Sequence, residues 1–432
     1  MIARHARCEF DDLTAGVKPR LREALGDKRM MAILFLGFAS GLPFNLTAAT
    51  MQAWLTSLHI DIKTIGMFAL VGLPYSFKFL WAPLLDRFLP PLLGRRRGWI
   101  LIYQLSLVIA IAVMGSASPT QDLTSFAAMA VIVAFLSASQ DIVIDAYRVD
   151  SIPPTERALA AGVTTVGYRS AAMFASALLL PIAHRLGWRL AYFLIAFLML
   201  LTVTATIRAP EPQQPGRPPR TLRDAVVEPL KDLLNRKGIG GFLVLALLYK
   251  AGDAFALSLY SAFMLGVGFS LDQLSLGKAD MFFSTLVGTA LGGWVYMRWG
   301  MFRSLLVFGI GQACTNLMYM WLALAGKKLW LMVLATSIDT GIGGMGQAAF
   351  VAFLVSQCSA SFSATQYALL SAFATLPSKI LSSFAGYVVA SVGWAHFFVI
   401  TFLTAVPGLA VLLFLRRPLS ELEAREVASA RS

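Results

Sequence analysis

Eight ionisable side chains fall inside long apolar stretches of this sequence: Lys78, Asp141, Arg169, Lys250, Asp253, Asp280, Asp339 and Lys379. Burying one such group in hydrocarbon costs about 2.5–3.5 kcal/mol on insertion scales. Four bases and four acids at that depth therefore either neutralise one another as structural ion pairs or line a wet space. In a wet space they are available to protons and charged solutes. Asp141 and Asp145 are four residues apart and share a helix face, with Arg148 three further on. At 1.5 Å per residue Asp141 lies roughly 10 Å deeper than Arg148. Asp141 is thus a candidate proton site, whereas Asp145 and Arg148 sit near the rim, where an ion pair can gate. Lys250 and Asp253 are three apart, so Asp253 can be neutralised by its neighbour or by a proton, and switching between the two is a coupling device. Asp339 is the third candidate for proton coupling. Arg169 and Lys379 stand at the midpoints of their apolar blocks; two cations facing one space suit carboxylates, with Lys78 and Lys250 as further cations. Trp54, Tyr75, Tyr168 and Tyr249 are candidates to cover sugar faces, although such aromatics are also common at membrane interfaces.

Other chemistry finds little support. The four histidines (His5, His59, His184, His396) lie away from the centres of the apolar blocks, and no nucleophile or metal-ligand spacing emerges. Cys8, Cys314 and Cys358 read as small hydrophobes rather than a disulfide framework. No enzyme activity, cofactor or metal is expected.

The elements that must position these charges are membrane helices. The chain has 432 residues, 57% hydrophobic and 14% charged, with a mean hydropathy of +0.70. Soluble domains average about 25% charged, so disorder, a disulfide scaffold and nucleic-acid binding are excluded. Membrane helices need about 20 apolar residues, and twelve such spans are expected: 30–57, 64–86, 98–117, 122–148, 157–184, 187–208, 238–265, 273–298, 304–325, 329–356, 363–391 and 394–416. The first long apolar run begins near Met30, after a polar stretch too long for a signal peptide. A polar segment, 209–237, separates six spans from six; it opens Pro-rich over 210–219 and continues with Leu222, Val226, Leu230, Leu233 and Leu234, spaced to lie on the membrane surface. The expected organisation is an N-terminal segment 1–29, a six-helix half 30–208, the linker 209–237, a second half 238–416 and a tail 417–432. With both termini and the linker cytoplasmic, 26 of the 36 Lys and Arg residues fall in cytoplasmic segments and only 6 in external loops. The formal charge of +13 is then an orientation signal rather than the mark of an anionic partner.

The halves echo each other. Ile60, Ile62 and Ile65 return as Phe269, Leu271 and Leu274; Gly187-Trp188 as Gly393-Trp394; Arg87 as Arg298, at offsets between 206 and 211. Parallel six-helix halves are the architecture of the major facilitator fold. In that fold every third helix faces lipid, and spans three, six, nine and twelve carry none of the eight buried charges. Gly37, Gly41 and Pro43, Pro74, and Gly341, Gly343, Gly344 and Gly346 are candidate hinges or close-packing points.

Span two ends Ala82-Pro-Leu-Leu-Asp86-Arg87, followed by Gly94-Arg95-Arg96-Arg97. This resembles the facilitator loop motif in which an Asp and several cations gate the cytoplasmic side, with Asp86 and Arg87 as its members here, though Leu89-Pro90-Pro91 alters its spacing. The Gly-Pro motif of proton antiporters is missing from span five, which counts against drug export. Five strings taken together resemble the AmpG-type muropeptide permeases: Gly37-Phe-Ala-Ser-Gly-Leu-Pro43, Gly72-Leu-Pro-Tyr75 with Lys78-Phe-Leu-Trp-Ala-Pro-Leu-Leu-Asp-Arg87, Gln140-Asp-Ile-Val-Ile-Asp-Ala-Tyr-Arg148, Tyr249-Lys-Ala-Gly-Asp-Ala-Phe255 and Phe362-Ser-Ala-Thr-Gln-Tyr-Ala368. The resemblance implies import of anhydro-muropeptides by proton symport across the bacterial inner membrane, a place in peptidoglycan recycling, and through it an influence on β-lactamase induction and antibiotic resistance. Its partners are the muropeptide, protons and the lipid bilayer, and a monomer is expected. Some members carry two extra helices; twelve are expected here. Acetyl-CoA transporters are more distant relatives, so another organic anion is the alternative cargo.

Overall fold

A computed structural model describes residues 27–88, 90, 93–152, 156–212, 228–235, 238–358 and 363–431. Among them there is no strand, and nine helices are long and apolar enough to cross a membrane. Three further crossings are hidden in that number. Helix Leu271–Ala325 is 55 residues long; unbroken it would extend about 80 Å, against a hydrocarbon core of about 30 Å. It folds back at Gly300, where φ is 76°. Gly393, with φ 78°, divides Ala385–Phe414 in the same way. The second span is a succession of short α and 3-10 pieces, with Pro74 and Pro83 each near the start of a piece, where a missing N–H costs nothing.

The twelve crossings are α1 (Lys28–Ser57), α2 (62–87), α3 (Arg95–Ser116), α4 (Leu123–Ser151), α5 (157–186), α6 (Trp188–Arg208), α7 (Ile239–Val267), α8 (271–299), α9 (301–325), α10 (Leu329–Ser356), α11 (363–392) and α12 (394–414). They agree with the expected spans to within a few residues. The described parts of the linker, 209–212 and 228–235, lie at the same end of the bundle as the start of α3, the start of α9 and the end of α12, termed here the linker face. Of the linker leucines, Leu233 is buried against Ile239, Leu415 and Leu419 rather than lying on the membrane, while Leu230 and Leu234 stay exposed. Leu222 and Val226 lie outside the described residues.

Glycine sets the packing of α1 on α5. A Cβ at Gly41 would come within 2.9 Å of the Ala171 methyl, and one at Gly37 would crowd the backbone of Thr164. Each of the two helices also carries a π-bulge, Leu46–Thr50 and Phe174–Leu178, and Thr50 Oγ1 donates across to the Ala175 carbonyl at 2.5 Å. Such bulges free carbonyls that side chains then use.

The repeat anticipated from sequence has a structural counterpart. Gly94 (φ 81°) precedes α3 and Gly300 (φ 76°) precedes α9. Glu211, just after α6, accepts from Arg96 N at 3.1 Å, and Glu423, after α12, accepts from Met301 N at 3.2 Å. In each half a carboxylate thus caps the helix that follows a left-handed glycine. Gly187 (φ 86°) and Gly393 (φ 78°) repeat the device before α6 and α12.

The halves meet mainly through α1–α7, α2–α11 and α5–α8. Their mutual hydrogen bonds gather toward the face opposite the linker. Gln52 Nε2 donates to the Ser258 carbonyl at 2.6 Å, and its Oε1 accepts from Ser261 N at 2.9 Å. His184 Nδ1 and Asp272 Oδ2 are 3.1 Å apart. Gly386 lets α11 come against the Ile62 backbone of α2.

Candidate functional site

A cavity of about 270 Å³ lies between the halves, walled by α1, α2, α7, α8 and α11. Two ammonium groups reach it, Lys278 from α8 and Lys379 from α11, together with Thr47, Gln52, Tyr75 and Ser378. Neither lysine has an ion-pair partner among the described residues. Lys278 Nζ sits 4.4 Å from the Tyr260 ring centroid and Lys379 Nζ 5.9 Å from that of Phe44. Aromatic faces attract a cation without neutralising it, so both charges remain available to an anion. A Cβ at Gly72 would stand 3.0 Å from Lys379 Nζ, and glycine there leaves the lysine its path across α2. The floor toward the far face is closed by the Gln52 bonds to α7.

The N-terminal half holds a second group of charges, nearer the linker face. Ser40 Oγ donates to Asp141 Oδ1 at 2.5 Å, joining α1 to α4. Asp145 lies 3.1 Å from Arg148 Nη2 and 3.9 Å from Lys78 Nζ, and its side chain is 52% exposed. Asp145 is thus bracketed by cations from α2 and α4 at the open rim. Arg169, half-buried on α5, has no hydrogen-bond or ion-pair partner among the described residues and is not part of the cavity wall.

The C-terminal half is arranged differently. Lys250 Nζ lies 3.6 Å from Asp253 Oδ2 and donates to Gln312 Oε1 of α9 at 3.0 Å. Behind them Asp339 is fully buried, accepting from Thr315 Oγ1 at 2.5 Å and Tyr319 OH at 3.1 Å. Asp253 and Lys250 are within electrostatic reach of it. Three buried atoms, Asp253 Oδ1 and both amide atoms of Asn316, have no hydrogen-bond partner among the described residues. They border a cavity of about 10 Å³ shared with Tyr249 and Gln312, about one water molecule's worth of room with polar partners around it.

Of the residues singled out from sequence, the structure brings Tyr75 and Lys379 to the central cavity, gathers Lys78, Asp141, Asp145 and Arg148 at the N-terminal rim, and places Lys250, Asp253 and Asp339 inside the C-terminal half. Arg169 and Lys379, expected to face one space, do not share a wall. Tyr249 stacks on Phe350 at 5.4 Å and donates to the Leu305 carbonyl. Tyr168 lies 6.2 Å from Phe44, which also meets Tyr75 edge-on at 4.9 Å. Trp54 is buried in the core, stacked on Trp188 at 5.7 Å, away from the cavity. Asp280 accepts from Ser337 at 2.7 Å. The side chains of Asp86 and Arg87 lie outside the described residues. Lys278, Gln52, Gln312 and Asn316 are not among the residues picked out by sequence. Lys278 is the most important of these, since it supplies the second cation that Arg169 was expected to provide.

Comparison with known proteins places this geometry. The profile of the Major Facilitator Superfamily matches residues 33–378. The anhydromuropeptide permease of Escherichia coli (strain K12) is 45% identical over 394 residues, covering 90% of this chain and 80% of that protein. An uncharacterized protein of Haemophilus influenzae is 35% identical, covering 90% and 94%. Among solved structures, a bacterial homologue of the human lysosomal transporter Spinster, in an inward-facing and unoccupied conformation, aligns with a TM-score of 0.74 at 15% identity, covering 91% of this chain and 97% of that one. That likeness concerns the fold alone.

Proposed function

The chain belongs to the Major Facilitator Superfamily and, within it, to the family of the anhydromuropeptide permease, and on that premise we propose that it imports anhydro-muropeptides (GlcNAc-anhydroMurNAc-peptides) by proton symport. It acts as a monomer in the bacterial inner membrane, with the linker face cytoplasmic. The observation that carries this reading is the pair of unneutralised ammonium groups, Lys278 and Lys379, in one cavity between the halves. A muropeptide presents peptide carboxylates to such a pair, and Tyr75 with Phe44 supplies aromatic surface for its sugars. Release toward the linker face passes the Asp145–Lys78–Arg148 group, which is the gate together with Asp86 and Arg87.

Proton coupling falls to Asp253, Asp141 and Asp339. When Asp253 is charged it shares Lys250 with Gln312; a proton on Asp253 leaves Lys250 to Gln312 of α9 alone and so changes how α7 is held against α9. Because α7 also makes the Gln52 seam, that change reaches the far-face closure directly. Arg169 on α5, without a hydrogen-bond or ion-pair partner among the described residues, is the cation that the departing anion meets once the halves part on the linker side.

Uptake into energised vesicles tests both parts. Asp253→Asn is expected to abolish gradient-driven accumulation while leaving binding and exchange of labelled muropeptide. Lys278→Met and Lys379→Met are each expected to weaken binding roughly tenfold to a hundredfold, the range for a lost charged hydrogen bond. Unchanged pH-driven uptake in both Asp253→Asn and Asp141→Asn removes the coupling assignment. A second cargo fits the same cation pair: acetyl-CoA or another organic anion. Competition of unlabelled acetyl-CoA with muropeptide for the purified protein decides between them.

A further inference from the structure

A groove of about 940 Å³, larger than the central cavity, lies on the outer surface of the N-terminal half between α1, α5 and α6. Its floor exists because α1 and α5 approach so closely: Gly167 of α5 sits against the backbone of Leu34 and Phe38, with no side chain to fill the angle beside α6. Its walls are apolar and face outward, with Phe35 46% exposed, Val166 59% and Leu201 48%. Its mouth is not apolar. Lys28, at the start of α1, and Arg208, at the end of α6, both line it at the linker face. Neither has an ion-pair partner among the described residues; the nearby carboxylate of Asp27 is engaged with the Arg29 amide at 2.8 Å.

The dimensions fit one class of occupant. From Lys28 to Phe38 is ten residues, and from Arg208 to Leu198 another ten, so along either helix the groove runs about 15 Å from its charged mouth. That is half the hydrocarbon thickness of a bilayer, about 30 Å, and so the depth of one leaflet. An apolar slot one leaflet deep, closed at the headgroup level by two free cations, is complementary to a lipid with an acyl chain below and a negative headgroup above.

We propose that this groove is a binding site for an anionic glycerophospholipid of the leaflet on the linker face. The phosphate lies between Lys28 and Arg208, and an acyl chain lies along Phe35, Val166 and Leu201. The site is separate from the central cavity and takes a ligand of different chemistry.

Native mass spectrometry of the full chain with equal amounts of phosphatidylglycerol and phosphatidylcholine of matched chains measures the selectivity. Each cation near a membrane surface attracts an anionic headgroup with an energy equivalent to about a fivefold change in affinity, so two give a preference of roughly thirtyfold. Lys28→Gln combined with Arg208→Gln is expected to bring the ratio close to one. Val166→Trp, which obstructs the slot, is expected to reduce retention of both lipids. A photoactivatable phosphatidylglycerol with the reactive group on its acyl chain needs no variant, and it should label Phe35 or Leu201 in the wild-type chain. A wild-type ratio near one, a ratio unchanged by the double substitution, or labelling that avoids α1 and α6 overturns the proposal.

Discussion

The two halves share a topology and the same capping devices, yet the lysine-carboxylate pair that α2 and α4 make and the one within α7 sit in different surroundings. In the N-terminal half the acid at the rim faces outward: Asp145 is half-exposed and bracketed by Lys78 and Arg148, while Asp141 lies deeper and accepts from Ser40. In the C-terminal half the group on α7 and α10 is sealed: Lys250 and Asp253 are 16% and 17% exposed and Asp339 not at all, held by the Thr315 and Tyr319 hydroxyls. Solvent screens Asp145 and its two cations, so those pairs are cheap to make and to break, as a gate requires. The second group is in a low-dielectric setting where every unmatched charge is costly. A change of protonation there must be answered by a change of packing. In the proposed mechanism this difference separates gating from coupling within one duplicated fold.

The largest test removes one lysine from each half. Lys250→Met leaves Asp253 buried without its cation, and breaking a buried pair costs about 3–5 kcal/mol. Lys78→Met breaks a pair that is 36% and 52% exposed, worth below about 1 kcal/mol. Denaturation of the two purified variants should therefore separate widely, and Lys250→Met combined with Asp253→Leu should recover much of the loss. Equal losses in the two single variants would erase the contrast between the halves.

A smaller effect is expected where the halves agree. Gly94 and Gly300 both occupy a region of backbone conformation nearly closed to other residues, which costs about 1–3 kcal/mol for a side chain. At both, an added Cβ would also meet the capping carboxylate, Glu211 or Glu423. Gly94→Ala and Gly300→Ala are expected to lower thermal stability by similar amounts, read as paired melting shifts. A large loss at one and none at the other would show that the repeat of glycine and carboxylate is coincidental.

How much of this is legible in the sequence follows from the physics of each signal. Twelve crossings are readable because an apolar run of about 20 residues is the length a bilayer demands and soluble domains rarely contain one, and charges such as Asp141 and Lys250 stand out against such runs. Where a side chain points is not readable. Lys379 reaches the central cavity but its expected companion Arg169 does not, because the rotation of a helix about its own axis decides which side chains reach the cavity, and hydropathy does not fix that rotation. Lys278, close to a helix end, carries no mark that separates it from an interfacial lysine until α8 is packed against α7. Gln312 and Asn316 are uncharged and hardly perturb the hydropathy of α9, yet they face Lys250 and the water-sized cavity. Charge-free α9 does expose an apolar side, with Val307, Ile310 and Leu324, yet its other side supplies Thr315 and Tyr319 to Asp339, and hydroxyls leave little mark on hydropathy. Trp54 is an attractive sugar platform by type alone; its stack on Trp188 shows that type does not fix role.

The smallest effect concerns helix starts, where the halves again part. Asp122 caps α4, accepting from Ser125 N at 3.0 Å, and the hydroxyl and amide of Ser125 hold its carboxyl below the usual carboxylate range. The corresponding start of α10 carries Lys328, which makes no side-chain cap. A carboxylate whose pKa is lowered by folding adds stability that is present above its unfolded pKa and is lost as pH falls through the folded value. Asp122→Ala is therefore expected to melt slightly below wild type at neutral pH and level with it in acid, once the carboxyl is protonated in both states. Lys328→Asp should do the reverse, gaining at neutral pH what capping supplies and losing that gain in acid. A cation at a helix N-terminus opposes the backbone dipole, so the substitution also removes an unfavourable interaction. That part does not depend on protonation of the new carboxyl and should survive at low pH, leaving Lys328→Asp above wild type by a small margin even where the capping gain is lost. Melting curves of both variants at several pH values distinguish capping from dipole relief, and a pH-independent deficit in Asp122→Ala would show that its carboxylate is not what holds the start of α4.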